Sequence, residues 1–201
     1  MSIPSLSANE DREIGPRIHF FGHESAHPAE IAHRCGGLSD QSPTAECDLA
    51  VFVVNPASGI DGPTISAWEA LNDSMVPRLI IIVLDQESDA DFDDAVMLCN
   101  RVFDQTVTPF LVLHDEVGLP CALINLKSLE IIDYETHPPT ISDSESEHKT
   151  LVSEFRDEYL EVLETHGEDG FEAGVLFPAI PLTMNGPIGG DIIESYIARL
   201  K

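Results

Sequence analysis

Basic residues are scarce in this 201-residue chain: 10 lysines and arginines stand against 36 aspartates and glutamates, giving a formal charge of −26. Phosphate contacts need Lys and Arg, so nucleic acid is disfavoured as a partner. An anionic membrane surface is disfavoured for the same reason, and charge of one sign serves solubility. Cysteine is sparse and dispersed. Cys35, Cys47, Cys99 and Cys121 form no CxxC pair, so buried free thiols in a reducing compartment are expected. No apolar run approaches the ~20 residues of a membrane span. The N-terminus lacks the basic-then-apolar order of a signal peptide, and a cytoplasmic location is expected.

What is present is a globular hydrophobic fraction of 43%, gathered into runs. Leu49–Val54 (LAVFVV) and Leu79–Leu84 (LIIIVL) are apolar throughout, as strands covered on both faces must be. Between them Thr64 is placed to cap a helix carrying Ile65, Trp68 and Leu71 at a spacing of three. Strand, helix, strand makes a right-handed βαβ unit, whose ligands lie at the carboxyl ends of the strands.

Around this unit the chain reads in order. Residues 1–16 form a flexible polar tail, and 17–201 one α/β domain. Arg17–Phe21 is a first strand, Gly22–Ala29 a loop, Glu30–Cys35 a short helix and Leu38–Thr44 a linker. The spacing predicts a helix over Ala90–Phe103 with Phe92, Val96, Cys99 and Phe103 inward. The acids Asp89, Asp91, Asp93 and Asp94 stand where the helix dipole favours them. Pro109–His114, Cys121–Leu126 and Leu129–Tyr134 read as an antiparallel meander, Glu135–Glu147 as a loop, and His148–His166 as one helix with Leu151, Val152, Phe155, Tyr159, Val162 and Leu163 on one side. Gly174–Pro178 is a last strand and Gly189–Leu200 a last helix.

Asp48, Ala50-Val51, Gly59, Thr64, Trp68, Val76-Pro77-Arg78-Leu79 and Ala90-Asp91-Phe92 stand in an order, ungapped from Gly59 to Phe92, that resembles the GTPase domain of translational GTPases, elongation factor G in particular. Leu123–Leu126, Leu129–Tyr134, Phe155–Glu158 and Gly174–Leu200 continue the resemblance. It implies a truncated P-loop-type three-layer fold with a mostly parallel sheet in the order Arg17–Phe21, Leu49–Val54, Leu79–Leu84, Gly174–Pro178. It also implies an inserted meander-plus-helix subdomain at about 106–170. In that family the insert touches the ribosomal stalk protein, and the later domains, which this chain is expected to lack, engage the decoding region.

The nucleotide motifs of the family are replaced. A phosphate loop of the form GxxxxGK followed by Ser or Thr supplies close backbone approach, a lysine charge and a magnesium-binding hydroxyl. Here Gly22 is kept, but the closing positions are His27, Pro28 and Ala29. Proline removes an amide donor, and alanine offers magnesium nothing. The guanine-reading NKxD position reads Val83-Leu84-Asp85-Gln86, and the late Ser-Ala loop reads Ile180-Pro181-Leu182. The short stretch from Ala29 to Ala45 leaves no room for the first switch, its two strands or the DxPGH segment.

The sequence therefore predicts a non-catalytic pseudo-GTPase that binds protein, with no cofactor, no metal and no catalytic residue. Arg17–Phe21, left at the sheet edge, invites pairing with a second copy. Two other functions are weighed. One is a ribosome-associated factor that uses the insert on the stalk, opposed by the charge of −26. The other is a metal-dependent enzyme built on His19, His23, His27, His33 and Cys35, residue types that ligate zinc. Ser25 and Ser58 show no base or orienting acid, so nucleophilic catalysis has no sequence support.

Overall fold

The computed structural model describes residues 15–39, 41–43, 46–84, 91–103 and 106–200. In chain order the elements are β1 (Ile18–Phe21), a 3-10 turn (Glu24–Ala26), α1 (Pro28–Cys35), β2 (Leu38–Ser39), β3 (Leu49–Val54), α2 (Gly62–Ala70), β4 (Arg78–Leu84) and α3 (Phe92–Val102). There follow β5 (Thr106–Val107), β6 (Phe110–His114), β7 (Pro120–Asn125), β8 (Glu130–Asp133), β9 (Thr140–Asp143), α4 (Ser146–Leu151), α5 (Ser153–His166), β10 (Phe177–Thr183) and α6 (Gly190–Ala198). Six strands form a parallel sheet in the order β2-β1-β3-β4-β10-β5, and β6 to β9 form a separate antiparallel sheet. The fold is thus mixed α/β with the expected strand order across its centre.

Alternation along the central strands builds two cores. Ile18, Phe20, Leu49, Val51, Val53, Leu79, Ile81, Val83, Ile180 and Leu182 face one way, against Ile31 of α1 and Ile192, Ile193 and Tyr196 of α6. Phe21, Phe52, Val54, Ile80, Ile82 and Ala179 face the other, against Trp68 of α2 and Phe92, Cys99 and Phe103. Phe52 stacks on Phe21 at 5.2 Å and meets Trp68 edge-on at 4.8 Å. Arg78 is buried here. Its guanidinium lies 4.5 Å from the Trp68 ring centre and donates to Asn72 Oδ1 at 2.8 Å and to the Leu71 carbonyl at the end of α2. The insert joins the first core through Phe110, Leu123 and Tyr134, and Tyr134 Oη donates to Asp191 Oδ1 of α6 at 2.7 Å.

Several expectations are corrected. The segment read as a linker supplies β2, which pairs with His19 and Phe20. The edge position assigned to Arg17–Phe21 is therefore occupied along half of β1, and dimerisation through that edge finds no support. Helix α1 begins at Pro28 rather than Glu30, because proline suits the first helical position, where an amide has no partner. Asp61, not Thr64, caps α2: its Oδ1 accepts the Thr64 amide at 3.0 Å. The last strand is shifted to Phe177–Thr183 and contains Ile180, Pro181 and Leu182, read above as a loop. The segment read as Glu135–Glu147 loop holds a fourth strand, β9. The single helix at His148–His166 is two, broken at Val152, and the break turns Leu151 and Phe155 outward, 68% and 48% exposed. Residues 1–14 of the tail, Asp85, Gln86 and Asp89 lie outside the described residues.

Candidate functional site at the strand ends

The parallel register brings the carboxyl ends of β1, β3, β4 and β10 to one rim: Phe21 pairs with Phe52, Val54 with Ile82, and Thr183 with Leu84. Of the replaced motif positions, Gly22, His27, Pro28 and Ala29 follow β1, while Val83 and Leu84 end β4. Val83 is buried in the first core, and Leu84 packs on the second. Gln86 lies outside the described residues.

Gly22 is fixed by the sheet itself. Its φ is +156°, and a Cβ there would sit 2.4 Å from the Val53 carbonyl oxygen. A glycine is needed at this crossing with or without a ligand. The following loop then turns inward. His23 Nδ1 accepts the Ser25 amide at 3.2 Å, the His23 carbonyl accepts the Ala26 amide at 2.9 Å, and the Glu24 carbonyl accepts the His27 amide at 3.0 Å. His27 sits in the left-handed region at φ 56°, and Pro28, which has no amide hydrogen, starts α1. A phosphate held on such a loop draws on successive free backbone N–H groups. Here three consecutive amides donate within the loop, and the next residue has none.

Four polar side chains close the loop against β3. Ser25 Oγ lies 2.8 Å from His23 Nδ1 and 2.6 Å from Ser58 Oγ, and Asn55 Nδ2 donates to the Ser25 carbonyl at 3.0 Å. The expectation that Ser25 and Ser58 lack a nearby base is corrected. The i,i+2 spacing of His23 and Ser25 carried that signal in the sequence, whereas the contact to Ser58 spans 33 residues and carried none. No carboxylate is hydrogen-bonded to His23 among the described residues, so none of them orients it as a base in a triad would be oriented. The network acts as a clasp between two strand ends. Beyond β10, the chain closes on itself as Thr183 Oγ1 accepts the Ile188 amide at 3.1 Å, and Arg34 Nη1 donates to the Met184 carbonyl at 3.0 Å.

The His and Cys residues considered for zinc are dispersed. His19 lies on β1, His23 and His27 flank the 3-10 turn, and His33 and Cys35 end α1. Among the described residues no group of three or more His, Cys, Asp or Glu could hold a metal ion. Burial, then the charge of Glu194, pushes the Cys35 thiol up and away from the thiolate that ligates or attacks. A cavity of about 200 Å³ opens beside Gly22 and Pro28, walled by Phe20, Phe21, Pro63 and Ala67, and none of its described lining residues is a lysine or arginine.

No family model matches this chain. It is similar to an elongation factor G-like protein from two strains of Mycobacterium tuberculosis, 25% identical over 166 residues, covering 71% of this chain and 22% of that protein. The chain thus spans under a quarter of the length of these curated relatives. Its fold is similar to the crystal structure of ttk003000868 from Thermus thermophilus, with a TM-score of 0.57 and 17% identity over 69% of this chain and 24% of that one. Among the described residues no helix is long and apolar enough to cross a membrane. The comparisons therefore relate the chain to an elongation factor G-like protein and its fold to a truncated P-loop-type α/β domain.

Proposed function

We propose that this protein is a non-catalytic pseudo-GTPase that binds another protein and neither binds nor hydrolyses nucleotide. The observation that carries the proposal is the inward-turned loop, in which the amides of Ser25, Ala26 and His27 are spent on His23 and Glu24 and Pro28 offers none. The absence of lysine at Pro28 and of a hydroxyl at Ala29 supports it. Calorimetry with GTP and magnesium is expected to be silent at affinities tighter than ~10 μM, about −7 kcal/mol. The combined change His27→Gly, Pro28→Lys and Ala29→Thr is expected to give no turnover, because the residues between Ala29 and Ala45 supply neither switch. GTP affinity in the native protein, or hydrolysis in the triple variant, overturns the proposal.

A second reading is favoured by the elongation factor G-like relative: a ribosome-associated factor that sets its antiparallel insert against the stalk protein. The charge of −26 opposes approach to ribosomal RNA. Co-sedimentation with ribosomes that disappears when the stalk protein is stripped supports this reading; absence from the ribosomal fraction rejects it.

A further inference from the structure

An apolar groove lies between α3 and the insert. Val96 and Met97 of α3 form one wall, Leu111 of β6 the floor, and Phe155 and Val162 of α5 the other wall, around a cavity of about 380 Å³. A second hollow of about 180 Å³ continues it past Leu111 and Phe155 toward Val152. The large side chains on its lips remain in water: Met97 is 53% exposed and Phe155 48%. Exposed apolar residues clustered on one groove mark an interaction surface.

The rim is acidic. Asp93 and Glu158 line the groove, Asp91 lines its continuation, and no described lining residue is a lysine or arginine. On the outer turns of α5, Glu154, Asp157, Glu161 and Glu164 are exposed beside a single Arg156. The ion pairs of Arg17, Arg34, Lys127 and Arg199 involve no residue of the groove. Burial, then the charges of Asp91 and Asp94, holds the Asp93 carboxyl above the usual carboxylate range, and only His114 acts the other way. A cation arriving here meets carboxylates that form no ion pair with a lysine or arginine among the described residues. A second copy does not fit, since it would bring the same acidic flanks to the contact.

We infer that the groove between α3 and α5 docks a cationic amphipathic helix of a partner protein, with apolar residues at i, i+3, i+4 and i+7 seated between Met97 and Phe155 and lysines or arginines over Asp93 and Glu158. The geometry follows from helix-in-groove recognition, in which one apolar stripe fills the slot and charge on its flanks sets orientation and on-rate. The inference rests on the protein-binding reading above and names the chemistry of its partner.

The test uses the full chain and a labelled synthetic peptide of about five helical turns, with leucine on one stripe and lysine elsewhere. Fluorescence anisotropy is expected to show saturable binding that weakens with salt. Phe155→Ser and Met97→Gln, both exposed and so unthreatening to the fold by circular dichroism, are each expected to weaken it about tenfold. Asp93→Asn with Glu158→Gln is expected to weaken binding and flatten its salt dependence. A scrambled peptide of equal charge is expected to bind about tenfold more weakly, which separates docking from attraction to a polyanion. Equal binding by the scrambled peptide, or affinity unchanged in both apolar variants, overturns the inference while leaving the silent nucleotide titration intact. Nucleotide binding overturns the pseudo-GTPase reading without touching the peptide result.

Discussion

In the six-stranded sheet β3 and β10 bury every residue and β4 all but Leu84, whereas in the four-stranded sheet β8 buries none fully and β9 exposes all four. The difference separates two tasks. Residues of the large sheet are committed to holding layers together on both faces. The insert has one small core of its own, Ile124, Leu126 and Val152, and leaves Ile141, Leu151 and Phe155 in water. Apolar surface already used in a core is closed to a partner; the insert is one region where such surface is still open.

The widest gap is expected from truncating an apolar side chain in each sheet. Phe52→Ala, in the aromatic cluster with Phe21, Trp68 and Phe103, is expected to cost about 4 kcal/mol. Ile141→Ala on β9, 66% exposed, is expected to stay within about 0.5 kcal/mol. Urea unfolding of the two variants measures both, and equal losses would break the comparison.

Glycine gives a smaller contrast. Gly22→Ala drives a Cβ into the Val53 carbonyl at 2.4 Å, while Gly118, at the β6–β7 turn with φ +85°, has nothing within 4 Å of that position. The first is expected to cost about 3 kcal/mol and the second about 1 kcal/mol, the left-handed backbone alone. Thermal melts that rank Gly118→Ala as the more damaging would show that the strand-end crossing yields more readily than its geometry implies.

The smallest effect is one of sign. Hydrogen bonds from the Arg17 amide and side chain hold the Asp48 carboxyl below its usual range, and the amide contributes most. Its folded pKa is depressed, so Asp48 adds stability that is present above the unfolded value and lost as pH falls through the folded one. Asp93 is raised, chiefly by burial. It removes stability at neutral pH and gives it back as pH falls through its folded value toward the unfolded one. Asp48→Asn is therefore expected to lower the melting temperature at pH 7 and Asp93→Asn to raise it, with both differences vanishing in acid. Shifts of the same sign at pH 7 would show that the strand-end carboxylate and the groove carboxylate do not differ.

The large sheet was legible because continuous apolar runs are what two-sided burial requires. Leu49–Val54 emerges with the bounds its sequence suggests. The misses have local causes. β9 is Thr140–Asp143, a strand whose four residues all face water, so no alternation marks it. β2 is two residues long, below any periodic signal. Pro178 and Pro181 disguise β10, since proline argues against a central strand. The structure nonetheless sets Pro178 opposite Val107 of β5 and Pro181 opposite Ile82 of β4. The helix break at Val152 is set by packing under the insert, not by a glycine or proline in the sequence. At the strand ends Gly22, His27, Pro28 and Ala29 were legible as positions, but the way the loop consumes its own amides was not. It depends on where the His23 ring turns.

That closed loop has a thermodynamic consequence. A phosphate loop whose amides wait for a ligand is ordered in proportion to ligand, and its protein gains RT ln(1 + [L]/Kd) of stability as the ligand rises. The loop from Gly22 to Pro28 draws its order from His23, Glu24, Asn55 and Ser58, all parts of the same chain. On the pseudo-GTPase reading its shape is expected to contain no term in nucleotide concentration, and this end of the sheet to be as rigid in a starved cell as in a growing one.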